Sequence, residues 1–201
     1  MLNEKEFNIP EEKRNDGEAW YRLAEHLEYS LHDYERAHFC ITKAADMGDM
    51  LGKYDLAEAY RMGEGVAQDL VKAAALYEDV VACRELIDPD KPNNLLSPQC
   101  DAAFQLGKFH EEKLIPNASI EKALEYYNFS VANGNRYHIY ALAKLYLENE
   151  TIAKDYVEKA GALYAGFPFV FPTQMVNTVI RQLREGKEDE VPGCDNGNLP
   201  F

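Results

Sequence analysis

The sequence predicts an all-α fold: a right-handed α/α superhelix, a solenoid of about four helical hairpins plus a C-terminal capping helix. Three observations predict it. An aromatic–x–Leu–small phrase occurs four times, as Tyr21-Arg22-Leu23-Ala24, Tyr54-Asp55-Leu56-Ala57, Phe104-Gln105-Leu106-Gly107 and Tyr140-Ala141-Leu142-Ala143. A basic–Ala pair follows each phrase, at Arg36-Ala37, Lys72-Ala73, Lys122-Ala123 and Lys159-Ala160. The Leu residues are spaced by 33, 50 and 36 positions. Periods of about 33 to 40 residues belong to stacked hairpins rather than to a closed catalytic domain.

The resulting division is an N-terminal arm (1–17), expected to be flexible, and a solenoid (18–187). The solenoid's units are about 18–48, 49–83, 99–134 and 135–166, with a loop insertion at 84–98 and a cap at 173–187. A mobile acidic, Gly/Asn-rich tail follows at 188–201. The second unit is the clearest. Gly52, Leu56, Ala57 and Tyr60 share one helical face. Gly63 and Gly65 stop that helix, and Asp69 caps the next, which turns Ala73, Leu76, Tyr77, Val80 and Val81 to the same core.

The other units deviate. In the first, Leu27 stands for the tyrosine, the turn is about three residues shorter, Asp33 starts the second helix and Gly48 ends it. In the third, Asn117 or Ser119 caps a helix carrying Ala123, Leu124, Tyr127 and Val131, which ends at Gly134. The fourth has Tyr146 in the core position, Thr151 as a cap, and Ala160 and Tyr164 on its second helix.

Leu56-Ala57, Tyr60, Gly63-Glu64-Gly65-Val66, Asp69, Lys72-Ala73 and Tyr77 resemble the Sel-1-like repeat, a relative of the tetratricopeptide repeat. They stand where that family has its Leu-Gly, Tyr, Gly-x-Gly-Val, Asp, Lys-Ala and Tyr. The resemblance covers about residues 18–166, and the Gly-x-Gly turn is missing from units one, three and four. It implies a helical-repeat fold and a protein-binding scaffold. Secreted relatives with a cysteine pair in each repeat are a poor guide, because that pairing is absent here.

Composition narrows the function. A net charge of −14 opposes nucleic-acid binding, which needs Lys and Arg to neutralise phosphates, and opposes anionic membrane surfaces. It suits a basic partner protein steered in by the field. Met1 to Gly17 holds no apolar signal-like run, and no stretch approaches 18 apolar residues. Cys40, Cys83, Cys100 and Cys194 show no CxxC. The expectation is a reduced, cytoplasmic setting, in which the Asn-x-Ser/Thr sequons at Asn117, Asn128 and Asn149 are chance matches or caps.

Two segments break the repeat. Arg84 to Pro98 holds three prolines and reads as a solvated spacer or a projecting binding loop. Phe167, Phe169 and Phe171 between Pro168 and Pro172 read as a bend closing the stack. The alternative is an aromatic patch pairing two copies, so the chain is expected to be a monomer or a weak homodimer.

No catalytic, metal or cofactor motif stands out. Glu35-Arg36-Ala37-His38 fits one Glu-x-x-His ligand pair, but such centres need two. A hydrolase with an atypical groove site remains an alternative class, and it requires titratable groups converging on one concave pocket.

Binding is expected on the concave face, which the first helix of each pair lines. With Leu56, Ala57 and Tyr60 facing the core, that face holds Tyr54, Glu58 and Arg61. The matching residues are Tyr21, Glu25 and Glu28 in unit one, Phe104, Lys108 and Glu111 in unit three, and Tyr140 and Lys144 in unit four. The four aromatics either form a ladder of anchors for a bound segment or pack between adjacent hairpins. The face is mostly acidic in units one and two and mixed in sign beyond. A short, acidic chain with degenerate repeats fits an immunity-type inhibitor that neutralises a cognate toxin, by analogy with bacterial proteins of this repeat class. An adaptor that assembles a complex is the competing version.

Overall fold

A computed structural model describes Leu2 and residues 7–83, 97–133, 138–148 and 181. Over the described residues every regular element is helical: α1 (Gly17–Glu25), α2 (Tyr34–Asp46), α3 (Met50–Met62), α4 (Leu70–Ala82), α5 (Pro98–Glu111), α6 (Ile120–Ala132) and α7 (Ile139–Glu148). A 3-10 turn, Glu11–Lys13, precedes α1, and a π-helical turn, His26–Ser30, continues it.

Five helix starts are fixed by a side chain that accepts from an otherwise unpaired backbone N–H. Asp16 takes Glu18 N at 3.1 Å, Asp33 takes Arg36 N at 3.2 Å and Asp49 takes Gly52 N at 2.8 Å. Asp69 takes Lys72 N at 3.0 Å and Ser119 takes Lys122 N at 3.3 Å. Each such cap contributes about 1 kcal/mol. The recurring basic–Ala pair thereby gains a meaning. The base sits in the first turn near the capping residue, and the Ala after it (Ala37, Ala73, Ala123) is buried against the partner helix. Of the two candidate caps in the third unit, Ser119 takes the role, and Asn117 lies in the turn with φ +58°.

Helix ends follow the same economy. Gly63 adopts φ +76° at the end of α3, and Glu64 N then bonds to Ala59 O at 3.0 Å. The third unit lacks that glycine yet keeps the geometry. Lys113, at the same offset from its Leu, takes φ +57°, and Leu114 N reaches Phe109 O at 2.9 Å.

The helices pair as α1/α2, α3/α4 and α5/α6, and successive hairpins stack through α2/α3, α4/α5 and α6/α7. First helices also touch one another, α1 with α3 and α3 with α5, so they make up the inner side of an α/α solenoid. Small residues set the closeness. A Cβ on Gly52 would stand 2.8 Å from Ala44 Cβ, and one on Gly107 would stand 2.3 Å from the Tyr127 ring. Ala57, Ala73, Tyr77, Val80, Ala102, Leu106 and Phe109 form a core shared by the second and third hairpins.

Two boundaries differ from expectation. The N-terminal arm is anchored rather than free over its described residues. Phe7 is 3% exposed, stacked on Phe39 at 4.9 Å and edge-on to Trp20 at 5.6 Å. Ile9 is buried with it, and Trp20 Nε1 donates to Arg14 O at 2.9 Å. The apolar Phe7 and Ile9 cover one side of the first hairpin, a role that mixed-charge neighbours conceal in the sequence. Pro98, expected in the loop, instead opens α5, where its missing N–H costs nothing. The remainder of the 84–98 insertion, Gly134, the second helix of the fourth unit, the Phe167–Phe171 bend, the 173–187 cap and the tail lie outside the described residues, Arg181 apart.

Candidate protein-binding face

The aromatics that open the first three repeat phrases pack between hairpins. The Tyr21 hydroxyl hydrogen-bonds to Asp55 of the second unit. Tyr54 lies 6.1 Å from the Tyr77 ring of its own hairpin and packs against the core shared with the third. Phe104 stacks on His138, ahead of α7, with centroids 3.8 Å apart. All three are half-buried, and burial pushes the tyrosine hydroxyls well above their ordinary range. Tyr140 lies on α7, its side chain outside the described residues. The described aromatics therefore serve as spacers that couple successive units, with part of each ring still facing out.

The charged members of the face are wired differently in each hairpin. In the second, Arg61 Nη2 holds Glu58 at 2.6 Å, and the Tyr77 hydroxyl donates to the same carboxylate. In the third, the acid and base change places: Lys108 stands where Glu58 would, Glu111 stands where Arg61 would, and Tyr127 donates to Glu111 at 2.6 Å. The first hairpin has acids at both positions, Glu25 and Glu28, and Ile41 where Tyr77 and Tyr127 stand. It has neither the base nor the hydroxyl. Lys144 on α7 is half-buried.

That deficit opens a cavity of about 390 Å³ between the first two hairpins. Glu28, Tyr29, Tyr34, His38, Asp55 and Glu58 line it, with Ile41 among its walls. Burial, together with the nearby Glu28, Glu25 and Glu58 carboxylates, raises Asp55 from the ordinary carboxylate value to about 6, against the hydrogen bond from Tyr21. Burial lowers His38. Tyr29 and Tyr34 at the cavity's edge are 73% and 65% exposed, and Leu31 between them is also exposed.

Of the expected site residues, Glu28 and Glu58 meet here, and Tyr21 braces Asp55. Glu25 acts on Asp55 through its charge. Phe104, Lys108 and Glu111 belong to the third hairpin. Tyr29, Tyr34, His38 and Asp55 were not among the expected binding residues. Aligning the repeats on Leu23, Leu56 and Leu106 exposes the signal that finds them: a unit with two acids and no hydroxyl. The convergence a hydrolase requires is also present, in His38, Asp55 and the glutamates, but burial is the cause of the His38 shift and no carboxylate is hydrogen-bonded to its ring among the described residues. Among those residues no group of three or more His, Cys, Asp or Glu is arranged to hold a metal ion. No described helix is long and apolar enough to cross a membrane.

Comparison with protein-family models and with curated proteins returns no match. Solved structures do match. A Sel1 repeat protein from Oxalobacter formigenes superposes with a TM-score of 0.65 at 16% identity, over 83% of this chain and 65% of that one. A protective antigen of uropathogenic Escherichia coli displaying an SLR fold superposes with a TM-score of 0.57 at 21% identity, over 88% of this chain and 39% of that one. The chain thus spans about two thirds of the first relative and two fifths of the second. On this evidence the chain carries the Sel1-like repeat fold.

Proposed function

We propose that this chain is a protein-binding scaffold whose first-helix face seats a basic partner protein, and that at finer grain it is an inhibitor that neutralises a cognate toxin. The observation that carries the reading is the acidity gathered where the first two hairpins meet, offset in part at Glu58 by Arg61. Burial, with the added charge of Glu28, Glu25 and Glu58 around it, makes Asp55 hold its proton to about pH 6. Such crowding costs folding free energy, and a cationic partner relieves it. The reading places the chain in a reducing, cytoplasmic setting, supported by the free thiols of Cys40 and Cys83.

The test is capture of partners from native lysate by the wild type, by the charge reversal Glu25→Lys/Glu28→Lys, and by Glu121→Lys on the exposed side of α6. A partner retained by wild type and Glu121→Lys but lost by the double reversal supports the reading. Equal retention by all three overturns it. An inhibitor silences its partner's activity on binding, whereas an adaptor leaves it running and recruits a third component.

A hydrolase is the second reading, favoured by His38 and Asp55 lining one cavity with shifted affinities for protons. Ester or peptide turnover lost in both His38→Ala and Asp55→Asn supports it. No turnover by the wild type removes it.

A further inference from the structure

We propose that the cavity between the first two hairpins receives an arginine side chain of the partner, whose flanking apolar residues rest on Tyr29, Leu31 and Tyr34. This rests on the scaffold reading and assigns that face its anchoring pocket.

Shape comes first. A cavity of about 390 Å³ lies at the small end of the ~300–1,000 Å³ range of ligand pockets. It suits a side chain with its adjoining backbone better than a bulky metabolite. Its mouth carries Tyr29 and Tyr34, two largely exposed rings on either side of a short turn, with exposed Leu31 between them. Large apolar side chains gathered beside a concavity mark a surface that is covered by something else.

Charge then selects the occupant. Glu28, Asp55 and Glu58 line the walls, and of the three Glu58 is neutralised in part by Arg61. These carboxylates lie on several walls beside two tyrosine rings, an arrangement complementary to a cation with spread-out charge. A guanidinium fits that description. It presents five donors in a plane to carboxylates on several sides, and the same plane stacks on tyrosine faces, which an ammonium matches less well. The matching positions of the second and third hairpins are built differently. Tyr77 and Tyr127 stand there, and their hydroxyls bond the acids, where the first hairpin has Ile41.

The experiment is an NMR titration of the full chain with the peptide acetyl-Gly-Leu-Arg-Leu-Gly-amide and with its citrulline counterpart, which keeps the shape and removes the charge. The expected result is shifts concentrated at Tyr29, Tyr34, His38, Asp55 and Gly65. Affinity should fall at least about tenfold for citrulline, for Asp55→Asn and for Tyr34→Ala, and stay unchanged for the distant Glu12→Gln. Asp55→Asn removes a crowded charge and Tyr34 is exposed, so both variants are expected to fold. Absent shifts, shifts scattered over the acidic surface, equal binding of citrulline, or affinity unmoved in Asp55→Asn overturn the pocket assignment. A lysate partner that still binds Asp55→Asn/Tyr34→Ala at full strength sinks this inference and leaves the scaffold reading standing. Failure of every partner to bind the wild type sinks the scaffold reading.

Discussion

The Tyr127 hydroxyl donates to Glu111 at 2.6 Å, spanning the two helices of the third hairpin. Tyr77 does the same in the second hairpin, but to Glu58, because the acid and base have exchanged places on the first helix. The tyrosine keeps its register and its hydroxyl follows the carboxylate. This bond ties the inner face to the core, and burial with Glu111 nearby holds the Tyr127 hydroxyl protonated far above neutral pH.

Tyr127→Phe therefore removes a charge-assisted bond from a buried ring without opening a void. The expected loss is about 1.5–3 kcal/mol, read as a lower urea midpoint at unchanged slope. A loss equal to that of the exposed Tyr34→Phe would mean that the bond adds nothing.

Gly107 permits the ring to lie where it does, since a Cβ there would sit 2.3 Å from Tyr127 Cε1. Gly107→Ala is expected to cost about 1–3 kcal/mol through overpacking, despite alanine's better helix propensity. In a double-mutant cycle with Tyr127→Leu most of that cost should vanish. Additive costs would show that the clash is relieved elsewhere.

Lys113 occupies the left-handed region at φ +57° where the second hairpin has Gly63. Lys113→Gly should stabilise the chain by about 0.5–1 kcal/mol, even though glycine raises the entropy of the unfolded state. A drop in melting temperature would contradict the assigned backbone strain.

Asp55 sets a pH dependence with a definite sign. Its folded value, about 6, lies above the ordinary 3.8, so the folded state favours the protonated form. That favourable contribution is complete below about pH 4 and is lost as pH rises through 6. Asp55→Asn should accordingly raise stability at pH 7.5 by about 1–3 kcal/mol and change little at pH 4. A gain of the same size at both values would point to packing rather than charge.

Much of the fold is legible in the chain because hairpin repeats are local. Leu23, Leu56 and Leu106 mark the register, Asp33, Asp69 and Ser119 mark helix starts, and Gly63 marks a helix end. What escapes is conformation or burial forced on residues that do not advertise it. Lys113 takes a glycine's backbone because the same bond to Phe109 O demands it. Phe7 and Ile9 are drawn onto Trp20 and Phe39, aromatic surface that the first hairpin presents on its N-terminal side. The proposed binding face is legible in part. Glu28 and Glu58 follow from matching the repeats, whereas Tyr29, in the π-helical turn, and Tyr34, at the start of α2, carry no periodic signal.

The association rate of the captured partner, followed as ionic strength rises, tests the central claim most directly. A basic partner steered to Glu25, Glu28 and Asp55 should lose on-rate steeply with salt, and the slope should shrink in Glu25→Lys/Glu28→Lys. An on-rate indifferent to salt, with the same value in the double reversal, would contradict the account.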